Sequence, residues 1–230
     1  MRKLSFFTVL FFAIGCYGQC WQSFYCGSTT SIALRNSKMY EWGGSTYPLP
    51  YAMGSENWLT ASIGEAHSLA IKSDGSLWGR GFNDFGELGI GNSPSTTHFV
   101  LVSSEAWTSV VSGAHVNIGL KSNGTIWSWG GMTVGLGLGN TTMAFFPTQI
   151  GSANDWQYIA VGRNNGAAIK TDGTLWVWGS NKFRQVGDGT TTDRTIPTQV
   201  EGNTWQSVAI GDAHMVAIRT DGTTLGMGIK

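Results

Sequence analysis

The sequence has little charge, and this excludes several classes of protein. Only 12% of its 230 residues are Asp, Glu, Lys or Arg, about half the usual share, and the 14 acidic and 14 basic side chains cancel. A chain without net charge has little long-range attraction for a nucleic-acid backbone, so we expect no nucleic-acid partner. Beyond residue 14, no apolar run is long enough to span a bilayer, so we expect no membrane span.

The familiar catalytic and cofactor motifs are also missing from the sequence. It contains no HExxH metal motif, no GxSxG or Ser-x-x-Lys nucleophile motif, and no GxxxxGK[ST] phosphate loop. The glycine-rich segments 86–91 and 135–139 are therefore interpreted as structural loops. The carboxylates in loops have no spacing that favours acid–base catalysis: Asp84, Glu87, Asp188 and Asp193. We expect no cofactor, no metal site and no enzyme activity.

Residues 1–18 have the pattern of a secretory signal peptide. Arg2 and Lys3 precede the apolar run 4–14, which has 11 residues and is too short to cross a bilayer. Cleavage after Gly18 would make Gln19 the first residue of a secreted or cell-envelope protein comprising residues 19–230.

Lipoprotein processing at Cys16 is the alternative to this cleavage. Residues 13–15 precede that cysteine as they would in a lipid-attachment site, but Ala13 stands where such sites usually carry Leu. A lipid anchor at Cys16 would hold the protein at the cell envelope.

Tryptophan and glycine recur with a period of 49 residues through the rest of the chain. Such a period is typical of a repeat architecture, because one small unit cannot bury its apolar faces alone. The first copy is 12 residues short and the last copy stops early. The repeats begin near Trp21, Trp58, Trp107, Trp156 and Trp205, and three further columns keep the same step: Gly64, Gly113, Gly162 and Gly211; Gly75, Gly124, Gly173 and Gly222; Trp78, Trp127 and Trp176.

Each copy reads as four short strands. In the third copy these are 107–113, 115–121, 125–129 and a β-branched run after a glycine-rich stretch. The dipeptide Asn123-Gly124, like the equivalent Asp-Gly pairs, predicts a two-residue hairpin turn with positive φ angles. Repeated four-stranded units of this length predict an all-β protein, a β-propeller with about four to five blades.

All 11 tryptophans fall into three columns, which leaves none for a special site. Besides the two columns above, the third comprises Trp42, Trp129 and Trp178. Because each indole supplies about 150 to 250 Å² of largely apolar surface, we interpret the columns as core and inter-blade residues rather than ligand-stacking residues.

Two segments carry a resemblance to a known repeat family. Residues 162–179 (GRNNGAAIKTDGTLWVWG) and 181–189 (NKFRQVGDG) resemble the regulator of chromosome condensation (RCC1-like) repeat, and 64–91 follow the same pattern. The resemblance implies a seven-bladed propeller. Its founding member is a nuclear exchange factor for a small GTPase, and relatives include a plant photoreceptor and a secreted inhibitor of β-lactamase. The family therefore shares a scaffold rather than one function.

Two departures from this family pattern shape our expectations. The first copy lacks the loop that follows Trp42, and seven blades would need about 340 residues. We therefore expect the chain to be a fragment of a longer reading frame that encodes further blades.

The leading hypothesis is a secreted, non-enzymatic propeller that presents loops on one rim to a protein or glycan. The alternatives are a guanine-nucleotide exchange factor for a small GTPase, a carbohydrate-active enzyme and an inhibitor of a secreted enzyme. The candidate contact residues are polar loop positions outside the repeat consensus: Asn83, Asp84, Lys182, Arg184 and Asp188.

Histidine and cysteine are assigned structural roles. His67 and His214 share one repeat position, which favours a hydrogen bond to the backbone at the inner end of a blade over metal binding. Cys20 and Cys26 flank the first strand, which is too long for a disulfide between them. Because Cys26 aligns with apolar residues of the other copies, we expect a buried thiol.

N-terminal sequencing of the exported protein checks the targeting prediction. We expect Gln19 as the first residue. A lipid-modified Cys16 at the N-terminus would instead establish the lipoprotein alternative, and an intact Met1 in the exported protein would contradict both.

Overall fold

The computed structural model describes residues 20–44, 47–131, 134–202 and 204–228. The predicted signal peptide and Cys16 lie outside these residues. Within them the regular structure is β-strand, apart from one 3-10 turn at Val134–Leu136. None of the described segments forms a helix long and apolar enough to cross a membrane.

The strands form five antiparallel sheets, four of four strands and one of three in the described chain. Within each sheet the strands are hydrogen-bonded in chain order, as hairpin-connected strands require. The sheets are here called blades 1 to 5. Blade 1 comprises β1(Ser23–Cys26), β2(Thr30–Arg35), β3(Lys38–Gly43) and β4(Tyr47–Ala52), and blade 2 comprises β5(Trp58–Ile63), β6(His67–Lys72), β7(Leu77–Gly81) and β8(Thr96–Ser103). Blade 3 comprises β9(Trp107–Ser112), β10(Val116–Lys121), β11(Ile126–Gly130) and β12(Ala144–Gln149); blade 4 comprises β13(Trp156–Val161), β14(Asn165–Lys170), β15(Leu175–Gly179) and β16(Arg194–Gln199); and blade 5 comprises β17(Trp205–Ile210), β18(His214–Arg219) and β19(Thr224–Gly228).

The first strand of each blade lies innermost, next to the first strand of the following blade. β1, β5, β9, β13 and β17 contact one another in that order, and the ends of all five line a common central hollow. At this end the backbones come very close, since a Cβ on Gly113 would lie 2.1 Å from the carbonyl oxygen of Gly162. Blades arranged around a shared axis make this a β-propeller, as the repeat predicted.

The tryptophan that begins the inner strand of each of blades 2 to 5 is buried between two blades. Trp58 is 4% exposed and packs on Ile32, Leu34 and Met39 of blade 1. Trp205 is 1% exposed and belongs to the apolar cluster of blade 4. The predicted core and inter-blade role of this column is confirmed for blades 2 to 5.

The same tryptophans tie blade to blade through their backbone. The amide of Trp107 donates to the carbonyl of Gly75 in the preceding hairpin turn at 2.9 Å. The amides of Trp156 and Trp205 make the equivalent bonds to Gly124 and Gly173 at 3.1 and 3.0 Å. Each inner strand therefore begins at the hairpin turn of the blade before it.

The second tryptophan column anchors the hairpin turns. Trp127 Nε1 donates to Thr125 Oγ1 at 2.9 Å, and Thr125 Oγ1 donates to Asn123 Oδ1 at 2.7 Å. The ammonium group of Lys121 lies 3.4 Å from the centroid of the Trp127 ring, a cation–π contact that covers the half-buried indole. Blades 2 and 4 repeat the arrangement, with Asp74 and Asp172 accepting.

The predicted two-residue turn in these hairpins is wrong. Lys72 N donates to Ser76 O and Gly75 N to Lys72 O, both at 2.9 Å, which defines a three-residue loop, 73–75. Only Gly75 has a positive φ, +88°. Asp74 instead accepts hydrogen bonds from the amide and hydroxyl of Ser76, which lower the pKa of its carboxyl and stabilise a type I turn with a bulge.

The two-residue turn does occur in blade 1, where the sequence pattern did not indicate it. Arg35 pairs directly with Lys38, and Asn36 and Ser37 between them have φ angles of 53° and 60°. Positive φ at both central residues is the mark of a type I′ turn.

The expectation that Cys26 is buried is also wrong: Cys20 and Cys26 are both free and exposed. The aligned residues Ile63 and Ile210 each pack on a glycine of the preceding blade, Gly27 and Gly162. Cys26 lies on β1, and the described chain places no blade before this strand. Its side chain therefore stays open to solvent.

Substitution of Trp58 by Ala tests the inter-blade packing. Because the substitution opens a cavity between blades 1 and 2, we expect the free energy of unfolding to fall by about 3 to 5 kcal/mol in a denaturant titration. Leu59→Ala is the matched control, since Leu59 is the next residue and 55% exposed. Equal effects of the two substitutions would contradict the burial role of the indole.

Candidate functional site

One face of the propeller carries its long loops, and we call it the loop face. Because antiparallel strands alternate in direction, the connection from third to fourth strand lies on the same side as the turn from first to second strand. The connections 82–95 and 180–193 are 14 residues long, whereas the connection in blade 1 has only three, 44–46. The hairpin turns lie on the opposite face.

A buried asparagine organises each complete loop. In blade 2, Asn83 is 4% exposed, and its Nδ2 donates to the carbonyls of Gly91 and Ser93 at 3.0 and 2.7 Å. Its Oδ1 accepts from the amide of Leu88 at 2.9 Å. This side chain thus replaces several loop–water hydrogen bonds and fixes the shape of the loop.

Asn181 performs the same task in blade 4, with help from two aspartates. Its Oδ1 accepts from Val186 N at 3.0 Å, and its backbone amide donates to Asp193 Oδ1 at 2.7 Å. Its Nδ2 also donates to Asp188 Oδ1 at 3.1 Å. The loop therefore has a fixed conformation stabilised by side-chain hydrogen bonds.

Asp188 is the most strongly held carboxylate of the loop face. The Arg194 guanidinium donates to its Oδ2 through Nε at 2.6 Å and Nη2 at 2.5 Å, and the amide and hydroxyl of Thr190 donate to its Oδ1. Burial raises the pKa of Asp188, but these hydrogen bonds outweigh burial and hold the pKa at about 2. The carboxylate stays charged at any physiological pH.

The remaining predicted contact residues point into solvent. Asp84, Lys182 and Arg184 are exposed, at the tips of the loops of blades 2 and 4. Arg184 has a left-handed backbone, φ 62°, at the repeat position that Gly86 occupies in blade 2. The structure thus brings the five predicted residues to one face. Asn83 and Asp188 stabilise the loops from within, and Asp84, Lys182 and Arg184 are exposed charges.

Exposed aromatic side chains accompany these charges, and the sequence analysis did not single them out. Phe82 and Phe183 are 50% and 51% exposed and lie beside the two organising asparagines. Their signal in the sequence is their position in polar loops, where no core requires them.

Each loop also packs onto the next blade. Trp129 Nε1 of blade 3 donates to Glu87 O of the blade 2 loop at 3.0 Å, and Trp178 Nε1 of blade 4 donates to Gly135 O at 2.8 Å. Each loop buries one aliphatic side chain completely: Leu88, Leu136 and Val186. The glycine-rich segments 86–91 and 135–139 are thereby confirmed as structural loops.

A histidine–carboxylate pair lies where the blade 2 loop meets blade 3. His115 Nδ1 donates to Glu87 Oε1 at 2.8 Å, and Glu65 Oε2 lies 4.0 Å from His115 Nε2. The His115 side chain is 40% exposed, whereas the Glu87 side chain is 1% exposed. The described residues hold no group of three His, Cys, Asp or Glu side chains placed to bind a metal.

The structural role predicted for His67 is correct, but its bonding partner is not the backbone. His67 Nε2 donates to the side-chain Oδ1 of Asn117 in blade 3 at 2.7 Å, and Asn117 Nδ2 donates to Glu87 O at 2.9 Å. Burial lowers the pKa of His67, so the ring is neutral at pH 7. His214, at the same repeat position in blade 5, is exposed.

The family comparison agrees with this repeat geometry. The profile described as "Regulator of chromosome condensation (RCC1) repeat" matches residues 123–169 and 172–218, and a second profile with that description matches 156–185. Residues 123–218 therefore contain RCC1 repeats.

Solved RCC1-like structures share the fold. Human WBSCR16 superposes with a TM-score of 0.80 at 20% identity, covering 91% of this chain and 62% of its own. Prp20p from Saccharomyces cerevisiae, studied for its binding to Gsp1p and histones, superposes with a TM-score of 0.76 at 19% identity, covering 87% and 56%. The present chain therefore spans less than two thirds of either relative.

A receptor-kinase ectodomain has the same architecture. The CR4 ectodomain of Physcomitrella patens gives a TM-score of 0.60 at 19% identity, covering 89% of this chain and 51% of its own. Proteins of different kinds thus share this fold, and the fold is what these likenesses establish.

The substitution Asp188→Asn tests the charged network of the blade 4 loop. The folded pKa of about 2 lies below the unfolded value of 3.8, so the ionised group stabilises the fold above pH 4, and this stability is lost as the pH falls towards 2. We expect the free energy of unfolding of the wild type to drop by about 1 kcal/mol more than that of the variant over this range, allowing for solvent screening. Parallel pH profiles for the two proteins would contradict the assignment.

Proposed function

We propose that the protein is a secreted, non-enzymatic propeller that binds a partner protein through its loop face. The observation that carries the proposal is the pairing of exposed aromatic and charged side chains on loops held rigid from within: Phe82 and Asp84 in blade 2, and Lys182, Phe183 and Arg184 in blade 4.

This composition favours a protein partner over a glycan. Aromatic and arginine side chains dominate the energetic centres of protein interfaces. Because the loop backbones are fixed by Asn83 and Asn181, little conformational entropy is lost when a partner binds.

The backbone of Arg184 gives independent support. A non-glycine residue at positive φ costs about 1 to 3 kcal/mol, and such strain clusters at functional sites. The related loop of blade 2 has Gly86 at the same position, where no strain arises. Retaining an arginine there places an exposed cation at the loop tip at the expense of stability.

Export of the protein is part of this proposal and depends on the basic and apolar pattern of residues 2–14. A partner would then be an extracellular or cell-envelope protein, and an enzyme inhibited by the loop face is one form such a partner can take. The exchange of guanine nucleotides on a small GTPase is disfavoured by this compartment.

A loop-face variant tests the function. The partner is first isolated from the culture supernatant by cross-linking to the purified protein and then produced pure. For Lys182→Ala/Phe183→Ala/Arg184→Ala we expect affinity for this partner to fall at least about tenfold in calorimetry, since interface aromatic and arginine residues each contribute about 1 kcal/mol or more.

The control for this experiment is Ser152→Ala/Glu201→Ala, which alters exposed residues of the opposite face. We expect its affinity to stay within about twofold of the wild type. Loss of binding in this control with full binding by the loop variant would place the interface on the other face and refute the proposal. Capture of an oligosaccharide and no protein would establish the glycan alternative.

A further inference from the structure

Within the described residues, no loop covers blade 2 as the loops of blades 2 to 4 cover the blades that follow them. The loops of blades 2, 3 and 4 each pack over the loop-face end of the following blade, as the bonds to Trp129 and Trp178 show. Blade 1 has only the three-residue connection 44–46 at this point. A cleft of about 360 Å³ therefore lies between blades 1 and 2, on the loop face.

The side chain beneath the cleft differs from its counterparts in a matching way. Arg80 occupies the repeat position of Trp129 and Trp178, whose indole N–H groups bind carbonyl oxygens of the covering loops. Arg80 is also a hydrogen-bond donor at this position, with a positively charged guanidinium and its several N–H groups in place of the single indole N–H. Blade 2 thus retains a carbonyl-binding position, but none of the described loops lies above it.

On the blade 1 side, Glu41 takes the place of the small residues that face the other loops. It precedes Gly43 by two positions, as Ser128 precedes Gly130, and Ser128 Oγ donates to the loop carbonyl of Leu136 at 2.6 Å. Arg80 Nη2 donates to Glu41 Oε1, and both side chains are 12% exposed.

The ion pair orients the guanidinium without using all of its donors. The guanidinium stacks on Phe99 with 4.9 Å from its central carbon to the ring centroid. Among the described residues, Glu41 is its one hydrogen-bonding partner, which leaves further N–H groups for a ligand. The residues that line the cleft include Thr29, Thr30, Thr96 and Thr97.

We propose that the cleft between blades 1 and 2 binds a glycine-containing turn of a partner protein, whose backbone carbonyls accept hydrogen bonds from Arg80. The occupant is inferred from the chain itself, since three equivalent surfaces are filled by such turns. The inference shares with the proposed function only the premise that the partner is a protein. It assigns a second contact site on the loop face.

A cyclised peptide with the sequence of residues 180–193 is the probe. This loop brings its two ends together, because the amide of Asn181 bonds to Asp193. We expect the peptide to bind the full chain with a dissociation constant below 1 mM and to shift the amide resonances of the cleft threonines. The matched control peptide carries Gly187→Val, which side-chain sterics exclude from the turn at φ 78°.

Two variants locate the binding to the cleft. Glu41→Leu/Arg80→Leu removes the donors without leaving an unpaired charge, and we expect binding at least about tenfold weaker, as for loss of a charge-assisted hydrogen bond. Ala66→Trp fills the mouth of the cleft and should abolish binding. Ala213→Trp, at the same repeat position in blade 5, is its control and should bind normally. Thermal unfolding verifies that each variant is folded.

The outcomes separate this proposal from the proposed function. Peptide binding that is lost in Ala66→Trp and kept in Ala213→Trp supports the cleft site. Absence of binding at 1 mM peptide, or binding that neither cleft variant weakens, overturns it and leaves the loop-tip interface untouched. Self-association of the chain that Ala66→Trp abolishes, without peptide binding, would assign the cleft to a second copy and overturn the proposal as well.

Discussion

The burial of one indole between neighbouring sheets is the interaction on which the whole structure depends. A four-stranded sheet of this size cannot cover both of its faces, and the tryptophan that begins each inner strand fills the gap to the preceding blade. Its backbone amide is bound at the same time by the preceding hairpin turn, as for Trp107 and Gly75. Apolar burial and a directional hydrogen bond thus act at one residue and fix both the spacing and the angle between blades.

The rigid loops follow from the same arrangement. A loop that packs on the next blade through Leu88 or Val186 cannot also move freely at its tip. The organising asparagines complete the restraint from inside. The exposed charges and phenylalanines are therefore displayed on a prepared frame, which is the condition under which a small contact area can give useful affinity.

The sequence predicted the architecture well because its causes leave periodic traces. Buried indoles and glycines at tight turns or close approaches must recur at every blade, so the 49-residue step reveals them. The 49-residue step does not by itself reveal which hydrogen bonds the recurring residues make. The hairpin loops have three residues because Asp74 binds Ser76, a contact that the Asp-Gly pair alone does not distinguish from a type I′ turn. The burial of Asn83 depends on carbonyls eight and ten residues away, in a loop without regular structure.

The environments of two other residues, Cys26 and Arg80, depend on a neighbouring blade. Cys26 aligns with apolar residues, but whether such a position is covered depends on what precedes its own strand. Arg80 interrupts a tryptophan column, and the interruption gains meaning only beside the short connection of blade 1. In each case the residue's environment is set by another repeat, so the alignment of repeats alone could not settle it.

Because each loop and each hairpin turn acts on the repeat that follows, the harm done by a substitution is displaced along the chain. A substitution of Glu87 would remove the hydrogen bond that its carboxylate accepts from His115 of blade 3, not a contact within its own sheet. If the effect of a natural variant in such a loop were assigned to the repeat that contains the residue, the wrong blade would be identified as the destabilised one. The effect of a substitution in a loop or hairpin turn on stability should therefore be interpreted from the contacts of the following blade.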